Sequence, residues 1–419
     1  MHHFKYREDE LFCEAVPVSK IAQAVGTPFY LYSYATLMQH FKAFDSAFEG
    51  LPHLICFSMK TNSNRAVLRM LANQGGGVDI VSGGELFRAL QADVRPEKIV
   101  YSGVGKRLDE LEYGLQAGIL MFNVESVQEI LALNEVARRL GKIAPISLRV
   151  NPDIDARTHP YISTGLKKNK FGIDINLALE EYMQAAALSH LKIIGISCHL
   201  GSQITQLSPF VEALKKLIGL VRQLEQRGLT IRFLDLGGGL GITYDAETPP
   251  HPREYAAAIK AELHSNGITL ILEPGRVMVG NAGILVAKVL YTKETGVKNF
   301  IITDAAMNDL LRPSLYNAFH AIQPVKRVER AKLLTDVVGP ICESSDFLAR
   351  DREIEKFEAG ELLAVMSAGA YGFSMSSNYN SRVRAAEVLV NGDEYFVIRA
   401  RECYEDLIRG EQTPDFLKS

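Results

Sequence analysis

The chain is 419 residues long, 47% hydrophobic and 23% charged, a composition that excludes disordered and collagen-like classes and leaves room for a large core. Its formal net charge of -3 at pH 7, without a basic stripe interleaved with aromatics, gives no footprint for nucleic acid and makes small molecules the expected partners. Five scattered cysteines (Cys13, Cys56, Cys198, Cys342 and Cys403) lack the spacing of a zinc site or disulfide framework, and neither a signal peptide nor an apolar run of ~18 residues occurs, so a cytoplasmic protein with no metal and no membrane span is expected.

From about residue 54 to 273, short β-rich runs alternate with longer stretches of helical period, the signature of parallel βα units. Eight runs can be counted: Leu54 to Met59, Val78 to Val81, Ile99 to Ser102, Ile119 to Asn123, Ile146 to Val150, Ile193 to His199, Ile231 to Leu236 and Leu270 to Glu273. Between the sixth and seventh, Phe210, Leu214, Leu217, Ile218, Val221 and Leu224 make one apolar helix face. Polar residues and glycines follow the strands, as at Lys60, Asp79, Gly103, Asn123, Arg149, His199, Gly237 and Glu273, and in a (β/α)8 barrel that rim builds the active site. The pattern predicts an α/β fold with a (β/α)8 TIM barrel over residues 26–277, a doubly wound open sheet being the competing architecture.

Beyond it the rhythm changes to strands without regular helices between them, as in Leu285 to Leu290 and Phe300 to Thr303. Residues 278–419, together with 1–25, are predicted to form a mostly antiparallel β domain. Its clearest element is the stretch Glu387 to Ile398, where Asn391-Gly392 suits a type I′ hairpin turn.

Several residues on this frame carry chemistry. Lys60 ends the first strand pattern and puts an ammonium on the rim, where it could form an imine with an aldehyde or only an ion pair. Leu234-Asp235-Leu236-Gly237-Gly238-Gly239-Leu240-Gly241 joins a strand to four glycines in five positions, which could cradle a phosphate on backbone N–H groups or serve only as a tight turn. Neither a Walker loop nor a dinucleotide fingerprint is present. In Glu273-Pro274-Gly275-Arg276 the carboxylate could face a pyridine nitrogen, or pair with its own Arg276. His199, in Cys198-His199-Leu200-Gly201-Ser202, could stack on a planar cofactor while Ser202 reaches a phosphate, or it could be an ordinary hydrogen-bonded histidine. In Cys342-Glu343-Ser344-Ser345-Asp346, Cys342 could donate a proton and Glu343 receive an ammonium, or the loop could be structural. Arg312-Pro313-Ser314-Leu315-Tyr316 offers a guanidinium and a phenol to a carboxylate, or starts a surface helix.

Taken in order, Phe57-Ser58-Met59-Lys60-Thr61-Asn62, Gly77 to Glu85, Thr164-Gly165-Leu166-Lys167-Lys168-Asn169-Lys170-Phe171-Gly172, the glycine loop, Glu273 to Arg276, and Cys342 to Asp346 give the chain a nearly full-length resemblance to a known family. It resembles the diaminopimelate decarboxylases, of the fold-type III pyridoxal-phosphate enzymes that include ornithine decarboxylase and alanine racemase. The lysine block departs from the commoner Tyr-Ala-x-Lys-Ala-Asn at Phe57, Ser58 and Thr61 but keeps Lys60 and Asn62. The resemblance implies pyridoxal 5′-phosphate as cofactor, held by Lys60 as a Schiff base, with His199 stacked on it, Glu273 on the pyridinium, and Ser202, Gly238 and Tyr371 on the phosphate. Asp79, Gly237, Gly239, Gly275 and Arg276 would complete the cofactor shell, and Cys342 is the candidate proton donor. Arg276, Arg312, Tyr316, Glu343 and Tyr371 would surround the substrate. A homodimer is expected, with the Cys342-Glu343 segment supplied by the partner chain. The implied reaction is decarboxylation of meso-2,6-diaminoheptanedioate at its D-centre to L-lysine and CO2, the last step of lysine biosynthesis. The competing readings are a decarboxylase of another basic amino acid (ornithine, lysine or carboxynorspermidine), a racemase, or an inactive pyridoxal-phosphate-binding regulator.

Overall fold

Strand runs bounded by capped amphipathic helices fold as their periodicity dictates. In the computed structural model, which describes residues 2–155, 170–263 and 267–418, eight parallel strands close on themselves. They are β1 His53–Ser58, β2 Gly77–Ile80, β3 Ile99–Tyr101, β4 Met121–Val124, β5 Ala144–Asn151, β6 Leu191–Ser197, β7 Phe233–Asp235 and β8 Thr269–Leu272. β8 pairs with β1, Leu270 opposite His53, which removes the free edges that an open doubly wound sheet would keep. Cys56, Val100, Met121, Ile194 and Ile271 pack together as a buried cluster from five of the eight strands. Positions 164–169 of the lysine-rich block quoted above lie outside the described residues.

The helices show why the chain leaves each strand where it does. Ser82 and Ser126 each accept the N–H three residues on, and the glutamates at those positions, Glu85 and Glu129, reach back to the Val81 and Glu125 N–H groups at 2.7 and 3.0 Å. Such serine caps contribute about 1 kcal/mol each and fix the helix start. The helix Ser208–Gln226 buries Phe210, Leu214, Leu217, Val221 and Leu224, the face read from the spacing. No helix among the described residues is long and apolar enough to cross a membrane.

Two compact units divide the chain: Met38–Gly280, which holds the barrel, and Met1–Leu37 with Asn281–Ser419. The expected barrel start at residue 26 is too early. Phe29–Ser33 is buried throughout and lies between Gly283–Glu294, to which it is antiparallel, and Ala386–Asn391, to which it is parallel. A short, wholly buried run carries no period that tells one sheet from another. The remaining strands of this β unit pair mostly antiparallel around a core of residues such as Phe4, Leu11, Val18, Ile21, Leu31, Ile284, Val286, Ala364 and Val388. The predicted hairpin is present, but Asn391 pairs with Glu394, so the turn is Gly392-Asp393 and not Asn391-Gly392. Only Gly392 of the two has positive φ, +65°, which suits a type II′ turn; its N–H donates to Glu14 Oε2 at 2.7 Å.

Candidate active site

All eight strands run one way, so their C-terminal ends share one rim. β1 ends at Ser58, and Met59–Thr61 make a single tight turn closed by Thr61 Oγ1 donating to Ser58 O at 2.8 Å. That turn carries Lys60, whose Nζ lies 3.2 Å from Oδ2 of Asp79 in β2. Asp79 is 1% exposed; its Oδ2 also accepts from Ser58 Oγ at 2.8 Å, while its Oδ1 has no hydrogen-bond partner. A buried polar oxygen left open beside an ammonium is suited to a polar group brought from outside the chain.

The loops after β6, β7 and β8 are fastened to one another. Gly238 N–H donates to His199 Nδ1 at 3.1 Å, and Glu273 N–H donates to Gly237 O at 2.8 Å. A Cβ on Gly238 would lie 2.1 Å from the Glu273 carbonyl oxygen, and one on Gly237 only 2.6 Å from His199 Nδ1. Glycine is therefore required here before any ligand is considered, because the loops bearing His199 and Glu273 come into contact.

That hydrogen bond decides the charge on His199. An Nδ1 that accepts carries no proton, and burial, helped by the charges of Lys60 and Arg149, pushes the imidazole well below its ordinary value. His199 is neutral, so its 3.8 Å separation from Glu273 Oε2 is not an ion pair. Burial, then the neighbouring charges of Asp235 and Asp79, raise Glu273, with Lys60 opposing. Asp235 is pushed up to about 6 by burial, although it accepts from Gly237 N–H at 2.9 Å and Asn123 Nδ2 at 3.0 Å. Three buried acids, two of them, Asp79 and Glu273, in the field of Lys60, suit a protonated ring nitrogen.

Arg276 begins the turn after β8 and is 6% exposed. Its Nη2 and Nε donate to Ser202 Oγ at 2.9 and 3.3 Å, and its Nη1 to Tyr244 OH at 2.7 Å. A Cβ on Gly275 would meet Thr61 Cγ2 at 2.5 Å, so this glycine lets the loop after β8 lie against the Lys60 turn. Two buried ion pairs brace the far side of the rim: Arg149 with Glu125 at 2.8 Å, and Lys106 with Glu129 at 2.6 Å. Glu125 also accepts from Gly103 and Gly172 N–H, and Lys106 donates to the carbonyls of Gly103 and Asn123, both at 2.9 Å.

The other predicted residues belong to the β unit. Arg312 opens the short helix Arg312–Tyr316 and is buried, so the surface-helix reading does not hold for it. Ser314 Oγ donates to Ser345 O at 2.6 Å, tying that helix to the Cys342-to-Asp346 loop. Cys342 is exposed, its N–H donating to Asn380 Oδ1 at 2.9 Å. Glu343 accepts from Ser345 Oγ and from Tyr379 OH, and these bonds hold its carboxyl below the usual range. Tyr371 has a φ of +55°, a conformation bulky side chains seldom adopt. The sequence reading missed Asp235, Glu125, Tyr244 and His320. Asp235 was detectable as a carboxylate inside an otherwise apolar strand, whereas Tyr244 and His320 carry no local signal.

The barrel unit thus gathers a lysine, an acidic floor, a neutral imidazole, and a guanidinium with its serine, a donor set that fits pyridoxal phosphate: amine for the aldehyde, carboxylate for the ring nitrogen, N–H and O–H donors for the phosphate. A closed (β/α)8 barrel with these groups on its rim defines a pyridoxal-dependent enzyme. The family described as "Pyridoxal-dependent decarboxylase, pyridoxal binding domain" matches residues 34–280. A Pseudomonas aeruginosa protein named diaminopimelate decarboxylase is 54% identical over 411 residues, 98% of this chain and 99% of its own length. The solved diaminopimelate decarboxylase of Helicobacter pylori, complexed with L-lysine, is 44% identical with a TM-score of 0.90, covering 93% of this chain and 98% of that one. The enzyme of that name from M. jannaschii, also with L-lysine, is 38% identical with a TM-score of 0.93 over 100% of both chains. The chain belongs to the diaminopimelate decarboxylase family.

Proposed function

We propose that the chain decarboxylates meso-2,6-diaminoheptanedioate at its D-configured carbon, giving L-lysine and CO2, with pyridoxal phosphate as cofactor. The observation that carries this reading is Lys60 Nζ at 3.2 Å from buried Asp79, on the same rim as buried Glu273. When bound, the cofactor takes up the electron pair that the departing carboxylate leaves on the α-carbon. Lys60 would hold the cofactor covalently and yield it to the substrate amine. Glu273, kept ready for a proton by its burial, would keep the ring nitrogen protonated. His199, neutral and fixed by Gly238, would lie flat against the ring without competing for that charge. Ser202 and Arg276 would bind phosphate, and Tyr371 is proposed for the same group.

Decarboxylation needs one proton at the carbon that lost CO2, and Cys342 is our donor, with Lys60 as the alternative. The substrate's far end carries a carboxylate and an ammonium, which Arg312 and Glu343 match. In one chain Cys342 and Glu343 are exposed, which favours an active homodimer in which each site borrows this loop from its partner. The unpaired cysteines suit a reducing compartment, and we place the protein in the cytoplasm. Product formation by the purified holoenzyme from meso-diaminoheptanedioate, ornithine, lysine and alanine tests the substrate: release of CO2 with L-lysine from the first is expected, and a preference for ornithine would reject it. Mixing Lys60→Ala with Cys342→Ala protein should restore activity if sites are shared, whereas two chains that stay inactive together would exclude sharing.

A further inference from the structure

Behind Arg312 lies a histidine that the reaction scheme above does not use. His320 is fully buried, eight residues along the chain from Arg312, and both its ring nitrogens are engaged. Nδ1 lies 2.8 Å from the Met366 carbonyl oxygen and Nε2 lies 2.7 Å from Arg312 Nη1. A carbonyl can only accept and a guanidinium can only donate, so the two bonds dictate the tautomer: Nδ1 carries the proton and Nε2 presents its lone pair to Arg312. The imidazole is uncharged in this arrangement.

The histidine itself is anchored on several sides. Its own carbonyl accepts from Arg352 Nη1 at 3.3 Å, and the Arg352 guanidinium lies 3.7 Å from the ring centre of the preceding residue, Phe319. Met366 N–H donates to Ala321 O at 2.8 Å, so Met366 grips the segment through both of its backbone groups. The imidazole is thus a strut between the strand ending at Val365 and the guanidinium. Its neutrality matters as much as its position. An aspartate or glutamate in its place would orient Arg312 equally well but would cancel the charge that an anionic substrate group has to meet. A neutral acceptor fixes one N–H of the fork without adding a negative charge of its own.

We propose that His320 is a positioning residue that, as a neutral acceptor, aims Arg312 at the distal carboxylate of the substrate. This rests on the assignment of Arg312 as the group that receives that carboxylate. His320→Asn is too short to reach Arg312, His320→Met fills the space without a strong acceptor, and His320→Gln can present an amide oxygen close to where Nε2 stood. Measured as holoenzyme with meso-diaminoheptanedioate, His320→Asn or His320→Met should raise KM about tenfold with kcat within about threefold, the size expected for losing a charge-assisted hydrogen bond. His320→Gln should return KM to within about threefold of the parent. In an Arg312→Ala background, which itself raises KM, His320→Asn should add nothing further.

The outcomes separate cleanly. If Arg312→Ala leaves KM unchanged, the assignment of Arg312 fails and this proposal falls with it. If Arg312→Ala raises KM while His320→Asn and His320→Met do not, or if their effects add in full to that of Arg312→Ala, only the role given to His320 is overturned. Loss of folded, cofactor-binding protein in both His320→Asn and His320→Met would assign the residue to the fold and overturn the proposal as well.

Discussion

On the barrel rim, Asp79, Asp235 and Glu273 are at most 4% exposed, Asp79 held by the Ser58 hydroxyl and Asp235 by the Asn123 and Gly237 amides, whereas in the β unit Cys342 and Glu343 are exposed and held by Asn380 and Tyr379. The consequence is visible in their titration. Burial pushes Asp235 and Glu273 up, while Glu343, in reach of solvent and of two hydroxyl donors, is held down. The rim is a set of buried acids suited to a positively charged group, whereas the acid of the exposed loop meets solvent.

The first way to break this contrast is to remove the amine at its centre. Lys60→Ala should abolish turnover and the long-wavelength absorption of the anchored cofactor, read in one spectrum of the purified protein. A normal band in that variant would show that another residue anchors the cofactor. Cys342→Ala should leave the band intact and lower kcat by about 100-fold, within the range for losing a positioned proton donor. A kcat equal to the parent's would transfer that role to Lys60.

The same contrast explains what could be read from the sequence. All eight barrel strands were legible, because βα alternation repeats a short pattern and each strand ends in a polar residue or glycine, as at Lys60, Asp79, His199 and Glu273. The glycine loop was legible as special, but its purpose was not: that Gly237 and Gly238 make way for His199 and Glu273 depends on a meeting of three loops far apart in sequence. Phe29–Ser33 gives no sign of which unit it joins, because five buried residues in a row show no face. His320 was invisible because its partners, Arg312 and Met366, are joined only by the folded β unit.

A third test compares charges of one kind in two settings. Lys106 and Glu129 have side chains 0% and 8% exposed, while Arg138 and Glu135 form an exposed pair on a helix, 58% and 53% exposed. Lys106→Met leaves a buried carboxylate without its cation and should lower stability by about 3–5 kcal/mol. Arg138→Met should leave it essentially unchanged, because solvent screens an exposed pair. Urea midpoints of the two variants measure the difference, and equal losses would mean that burial does not govern ion-pair strength in this barrel.

The last test concerns a buried acid in the β unit that no reaction step uses. Asp309 is 2% exposed, accepts one N–H, from Ala306 at 3.0 Å, and its Oδ1 has no hydrogen-bond partner. Burial pushes it up to about 7; Asp304 adds to the rise, while the Ala306 N–H, Arg382 and Arg401 oppose it. An acid whose folded value lies above its unfolded value binds its proton more tightly when folded. Its contribution to stability is complete below about pH 4 and is lost as pH rises through about 7. Asp309→Asn, neutral at every pH, should therefore match the parent's urea midpoint near pH 4 and exceed it near pH 8. The gain is bounded by about 1.4 kcal/mol for each pH unit crossed. Asp235, pushed up to about 6 in the barrel, has the same sign, but its shift is tied to Glu273, so Asp309 isolates the cost of burial better. A variant that tracks the parent at both pH values would show that Asp309 is ionised and compensated in the folded β unit, and the two regions would then differ in kind and not only in degree.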